Sequence, residues 1–448
     1  MEKPVTHTAA PGDGANAGEP DVLVIGGGPA GSTVATLLAR KGWKVTLLEK
    51  DAHPRFHIGE SLLPQGMPIL ERLGVLDAVR DCSVVKLGAD FPNDDGSYSV
   101  FDFSKSLRPQ SEFALQVKRA DFDRILFDAA RRAGADCHEH TRVDGVAFIR
   151  GDRATVRAGD RTWRPRYVVD ASGRDTFLGG KLKLKAKNPK HASAAVFSHF
   201  DGVKRRNGRD AGNVSIYRHA HGWAWVIPLS GGTTSVGAVC FPDHLKQRRG
   251  DTEGFLMQTL ASVPELAERM AMATRTGPVH VTGNYAYACN RMHGPGWSLL
   301  GDAYEFVDPM FSSGVFLAMH GAERGADLVD AILREPAREA ALQRDFRRRF
   351  DTGLREFKWF IYRFTSPTMK HLFANRRNVF GVEQAVVSML SGDVFDDARP
   401  VLRRLRIFRA IYALASLRMG GMALASWRRR RRQVKVELRE ETLQQDTA

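Results

Sequence analysis

Cysteine is scarce in this chain. The 448 residues hold four, Cys82, Cys137, Cys240 and Cys289, far apart and without a C-x-x-C pair. Such spacing excludes a disulfide scaffold and a thiolate zinc site, so no metal centre is expected and the thiols read as buried or free in a reducing compartment. Met1–Pro20, "MEKPVTHTAAPGDGANAGEP", lacks the apolar stretch of a secretory signal. It reads as a disordered leader, and the protein as cytoplasmic. No uncharged apolar run reaches the roughly 18 residues that suggest a membrane span, and beyond the leader there is neither an internal repeat nor a long low-complexity block.

Acidic residues are missing from 401 to 432, where Arg403, Arg404, Arg406, Arg409, Arg418 and Arg428 to Arg432 lie. Much of the formal net charge of +15 gathers there, which argues against a nucleic-acid-binding body. Val401 to Trp427 places Leu402, Leu405, Phe408, Tyr412, Ala415, Met419 and Met422 at helical spacing, although Gly420 and Gly421 weaken the helix. This basic amphipathic tail suits peripheral contact with an anionic membrane, an acidic partner such as a carrier protein, or packing on the body with a solvated arginine edge.

What is present begins at Asp21. "DVLVI" reads as a buried strand and runs into "GGGPAG", which sets Gly26, Gly28 and Gly31 in G-x-G-x-x-G spacing before a helical stretch from Ser32 to Lys41. Glycines allow a tight turn, backbone approach to a pyrophosphate and close helix–strand packing, and the helix N-terminus favours an anion. A second strand, "KVTLLEK", carries Glu49 about 20 residues further on, where an acid can bind ribose hydroxyls. Two more apolar strands end in chemistry: "YVVDASGRDTFLG" from Tyr167, and "GWSLLGDAYEFVDPMFSSGVFLAMHGA" from Gly296, which passes Gly301 and Asp302 and enters a helix near Ser313.

This ensemble resembles the FAD-binding framework of the glutathione-reductase type, shared by flavin monooxygenases, geranylgeranyl-reductase-like enzymes and flavin-dependent halogenases. The resemblance implies FAD as cofactor, with Asp302 on its ribityl chain and Arg119 of "QVKRADFDRIL" flanking it; without it, Arg119 would read as a surface arginine opening a helix. The fold expected is α/β. A Rossmann-like βαβ unit with a mostly parallel sheet is interleaved, near 85 to 111 and 181 to 280, with strand-patterned segments forming a mixed or antiparallel substrate sheet. Residues 21 to 335 form this body, and 336 to 448 a separate C-terminal helical region.

Three stretches select among the families. "RFHIGESLLP", Arg55 to Pro64, resembles a segment beside the flavin in halogenases of phenols and pyrroles; otherwise it is a loop in which Ser61 caps a turn. Lys86, in "SVVKLGADF", matches the lysine that halogenases place between flavin and substrate, although a lone lysine is usually solvated. Trp223 and Trp225 of "GWAWVIPL" fit the halogenase W-x-W-x-I-P pattern, where indoles wall the flavin from the substrate; the plain alternative is an aromatic core.

By the same resemblance, backbone N–H groups near Ser313 and Gly314 of "DPMFSSG" hold halide. Tryptophan halogenases carry a glutamate where Phe311 stands, so free tryptophan is a poor substrate here. The expected reaction uses reduced FAD, oxygen and chloride or bromide to halogenate a phenolic or pyrrolic ring, free or carrier-tethered. Reduced FAD would come from a separate flavin reductase, since the chain shows only one convincing dinucleotide glycine turn. The alternatives are an FAD monooxygenase or polyprenyl-type reductase, and a flavin- or carrier-binding protein without halogenation.

Overall fold

The strand Val22–Ile25 is buried at every position, as expected of a run with no polar residue and neighbours on both sides. In the computed structural model, which describes residues 15–148, 153–188, 193–248, 250–283 and 286–433, it lies inside a six-stranded sheet. The order is His293–Gly294, Trp297–Leu299, Tyr167–Asp170, Val22–Ile25, Val45–Leu48 and Asp136–His138. Every pairing is parallel except the first. Helix Pro29–Arg40 follows the first glycine turn and packs against helices Arg119–Arg132 and Ser313–Arg334. It starts three residues before the expected Ser32, because Pro29 at its first turn has φ already set for a helix.

A second, larger sheet orders Thr274–Arg275, Ala194–Asp201, Thr234–Cys240, Gly222–Pro228, Val214–His219, Gly88–Pro92 and Tyr98–Asp102, with His280–Thr282 also paired to Ala194–Asp201. It is antiparallel apart from the parallel junction of Val214–His219 with Gly88–Pro92. The interleaved, mixed substrate sheet is therefore present. Residues 181 to 280 are not all strand, however: Pro242–Leu245, Thr252–Ala261 and Pro264–Met270 are helices. Local signals explain two of them, since the Asp251 carboxylate accepts from Gly254 N and Pro264 opens the last helix.

Strand Gly222–Pro228 shows why both faces of this sheet are apolar. Trp223, Trp225 and Ile227 join the large core shared with the parallel sheet, whereas Ala224 and Val226 join a smaller core with Leu256, Leu260 and Leu266 of the covering helices. Period-two alternation thus sorts one strand's side chains into two compartments.

Two expectations need correction. Ala15–Gly18 is a strand paired in parallel with Arg161–Trp163, so the disordered leader fails there because its backbone finds an edge to bond; residues 1–14 lie outside the described residues. The region after Pro336 is helical through Gln433 but not separate. Phe346, Phe350, Phe357 and Phe408 share the main core, since helix Glu339–Ile361 needs somewhere to bury its apolar stripe.

The tail divides. Helix Arg399–Met419 buries Val401, Leu405 and Phe408, with Phe408 stacked on Phe360 at 5.3 Å. The expected stripe therefore packs on the body from Leu402 to Tyr412, while Met422, past the bend, is exposed. Gly420, at φ 48°, ends this helix, and Gly421–Gln433 continues after a bend of 105°. Among the described residues no single helix is long and apolar enough to cross a membrane.

Gly237 sits opposite Trp225, and a Cβ there would lie 2.3 Å from the Phe197 Cβ and 2.5 Å from the Trp225 ring. Gly237→Ala should destabilise the chain by about 1–3 kcal/mol, measured by urea unfolding. An unchanged midpoint would show that the indole has room to slide.

Candidate functional site

A cavity of about 760 Å³ opens where the carboxyl ends of the parallel strands meet the inner face of the second sheet. Open parallel sheets bind ligands at that edge. Gly26 and Gly28 line it, and each has its own reason to be glycine. Gly26 has φ 101°, and a Cβ on it would lie 2.5 Å from the Ala171 carbonyl oxygen; a Cβ on Gly28 would meet only Arg55, at 3.8 Å. Gly28 thus leaves its backbone open to a ligand. Gly31 is outside the lining and serves packing, because a Cβ there would fall 1.8 Å from the Gly26 oxygen.

Glu49 ends the second strand at the cavity wall. Its Oε2 accepts from Gly27 N at 2.6 Å and its Oε1 from Asp51 N at 3.0 Å. Arg119 is buried, not a surface arginine. Its Nε and Nη2 donate to the two oxygens of Asp123 at 2.8 and 2.9 Å, and its Nη1 donates to the Ile58 carbonyl at 2.6 Å. Helix Arg119–Arg132 so fixes a cation at the cavity edge and ties it to the loop before Glu60.

Asp302 faces the cavity, and its carboxylate has no hydrogen-bond partner among the described residues. Burial raises its pKa to about 6, against the opposing charges of Arg174 and Arg119. Ser313 and Gly314 also line the cavity, at the first turn of helix Ser313–Arg334, and that turn holds no acid. Ser312 precedes them at φ 55° and turns the chain into the helix. The N–H groups there and the end of the helix dipole make a local anion-favouring point.

Trp223 and Trp225 line the same cavity with ring centroids 5.8 Å apart. Trp225 Nε1 donates to Ser235 Oγ at 3.2 Å. Trp223 Nε1 is buried without a partner among the described residues.

Lys86 is 1% exposed and outside the cavity lining. Its Nζ donates to Ser61 Oγ and to the Leu62 carbonyl, both at 2.9 Å, and stands 5.4 Å from the Phe103 ring centre. Ser61, which does line the cavity, is therefore the contact between lysine and cavity, not the cap of a turn. Burial lowers the Lys86 pKa to about 7, with Asp90 pulling the other way. Phe311 lies behind the lining, buried edge-on to Phe364 at 5.5 Å.

The segment from Arg55 to Ser61 lines the cavity, as its resemblance implied, and the structure adds contacts that local sequence does not specify. Arg55 lies 3.5 Å from both Glu49 and Asp123, and His57 has its pKa lowered to about 4 by burial and then by Arg119. Glu60 Oε1 meets His199 Nε2 at 2.7 Å; no local signal joins residues so far apart. Leu354, Phe357 and Ile361 of helix Glu339–Ile361 also line the cavity, and their helical spacing could have marked them as a buried face.

These residues fit FAD by their chemistry. The open backbone at Gly28 with the N-terminus of helix Pro29–Arg40 suits a pyrophosphate, Glu49 suits ribose hydroxyls, and the unpartnered Asp302 suits a polyol.

Comparisons with known proteins agree. The family model described as an FAD binding domain matches residues 19–353. A flavin-dependent halogenase of Penicillium aethiopicum is 32% identical over 417 residues, which is 85% of this chain and 75% of that protein. The 1H-pyrrole-2-carbonyl-peptidyl-carrier-protein chlorinase of Pseudomonas fluorescens is 31% identical over 341 residues, 70% of this chain and 76% of its own. Among solved structures, a flavoprotein/dehydrogenase from Cytophaga hutchinsonii superposes with a TM-score of 0.81 at 30% identity, covering 89% of this chain and 99% of that one.

The Lys86 environment has a consequence for stability. A lysine whose pKa is lower folded than unfolded penalises the fold while both forms are protonated, and the penalty fades as pH rises through the folded value. Lys86→Met should therefore gain stability relative to the parent at pH 6, and the gain should shrink by roughly 2–3 kcal/mol toward pH 9. Urea unfolding at both pH values measures it, and a pH-independent difference would place the amine in water.

Proposed function

The chain belongs to the flavin-dependent halogenases, and on that premise we propose that it installs chlorine or bromine on an electron-rich phenol or pyrrole ring, free or tethered to a carrier protein. FAD, when bound and reduced, supplies the two-electron activation of oxygen that converts halide into hypohalous acid. The rest is the work of this chain's own residues.

The observation that carries the proposal is the buried Lys86 set directly behind Ser61 at the cavity wall. With a pKa of about 7, the amine exists near neutral pH both as an ammonium that can hydrogen-bond hypohalous acid and as a neutral amine that can take up the halogen. Gly26 and Gly28 receive the pyrophosphate, Glu49 the ribose, Arg119 flanks the cofactor and Asp302 accepts from its polyol chain. The N–H groups of Ser313 and Gly314 hold halide. Trp223 and Trp225 keep the ring to be halogenated away from the oxidant, so that oxygen goes to halide and not to carbon.

Phe311 and its neighbour Phe364 offer no base, which suits a phenol or pyrrole that loses its proton readily. The Pseudomonas relative, named for a carrier-bound pyrrole, supports a tethered ring as one form of substrate. A separate flavin reductase supplies the reduced cofactor.

Purified protein given FAD, a flavin reductase, oxygen and chloride or bromide should yield halogenated product from a panel of free and carrier-tethered phenols and pyrroles, read by mass. Hydroxylated or hydrogenated product without halogen would overturn the proposal. Lys86→Met should lower halogenated product by about a hundredfold or more, the range of a positioned acid–base group, while FAD absorbance on the purified protein is retained. Full halogenation by that variant would remove the lysine from the chemistry.

A further inference from the structure

Helix Arg399–Met419 is apolar on two faces. One packs on the body through Val401, Leu405 and Phe408, with Tyr412 bonded to Ser366 Oγ at 3.1 Å and Ser416 to Thr368 Oγ1 at 3.1 Å. The other points to solvent and carries Ile407, Leu414 and Leu417, exposed by 38%, 68% and 77%. Past the bend, Met422, Leu424 and Trp427 are exposed by 61%, 46% and 46%. Clustered large apolar side chains in water mark an interaction surface.

The charges around this patch narrow its occupant. The whole of 401 to 432 holds ten arginines and no acid. Arg403 and Arg406 lie exposed at its start, Arg418 beside Leu417, and Arg428, Arg429, Arg431 and Arg432 at its end. Arg431 stands over the Trp427 ring at 4.3 Å. A second copy of this chain would bring ten more arginines against these. An acidic carrier protein would pair the arginines but would need a matching pocket for apolar side chains spread over two helices that meet at 105°. A bilayer boundary needs no pocket: it takes Leu, Met and Trp into the acyl margin and guanidinium groups among phosphates. The bend rules out a straight span and suits helices lying in the plane of the surface.

We propose that the outward face of Ile407 to Trp427, with its flanking arginines, docks the protein on an anionic phospholipid surface. Apart from Met422, which lies past the bend, this is not the stripe legible in the sequence, whose Leu405 and Phe408 are buried on the body, but the face opposite.

The test is co-sedimentation of the full-length, FAD-loaded protein with vesicles. Mixed phosphatidylcholine–phosphatidylglycerol vesicles should bind it at least about tenfold more tightly than phosphatidylcholine alone, and the difference should shrink in high salt. Leu414→Gln with Leu417→Gln should lose most of the binding, as should Arg428→Gln with Arg431→Gln and Arg432→Gln. Both sets lie outside the cavity, so bound FAD and turnover of a water-soluble ring should stay at parental levels, which separates this result from any failure of the halogenase assignment. The proposal falls if neither vesicle binds, if both variants bind like the parent, or if the protein ignores vesicles and instead binds a purified acidic carrier protein or dimerises through this face.

Discussion

The molecule depends on an absence of side chains where its first strand becomes its first helix. Gly31 sits so close to the Gly26 oxygen that a single carbon would collide at 1.8 Å, and Gly26 itself has a carbonyl of the neighbouring strand at 2.5 Å from where its Cβ would be. This contact lets helix Pro29–Arg40 lie low over the sheet. The helix in turn packs against Ser313–Arg334 and Arg119–Arg132, and those helices bring the first-turn residues Ser313 and Gly314 and the buried Arg119 to the cavity. With any larger residue at the turn, the three helices would lift together and the cavity would lose its floor.

The opposite wall is governed by alternation. One strand, Gly222–Pro228, gives its indoles to the cavity and its small residues to the outer core, and the Trp225 indole N–H is spent on Ser235. Lys86 sits out of the cavity but touches a residue that lines it. Cofactor site and lysine are thus separated by one layer of side chains, Ser61 with the neighbouring Glu60, which is itself held by His199.

Much of the cofactor end was legible in the sequence, because Gly26, Gly28, Gly31 and Glu49 are bound by local geometry: a turn, a close approach, an acid a fixed distance downstream. Trp223 and Trp225 were legible for the same reason, as period two fixes a face. Arg119 was ambiguous, since only Asp123 one turn on and the Ile58 carbonyl, brought there by the fold, draw it inward. The Glu60–His199 contact and the lining by Leu354, Phe357 and Ile361 were hidden because they join segments far apart. In the tail, periodicity marked the stripe that the body takes, one of the readings the sequence left open, but not the apolar side chains that stay exposed on the other side.

Strand Gly222–Pro228, buried on both sides, also bears on how such an enzyme can change over evolutionary time. A substitution at Trp223 or Trp225 disturbs a strand whose other side is already filled by a second core, so few solutions are open there. Helix Glu339–Ile361 is held in the same way: Leu354, Phe357 and Ile361 line the cavity, while Trp359 and Phe360 pack on Phe408 and Tyr412 of the C-terminal helix. Both walls of the cavity thus answer to packing on their far sides, so a substitution at either one has to satisfy two neighbours at once.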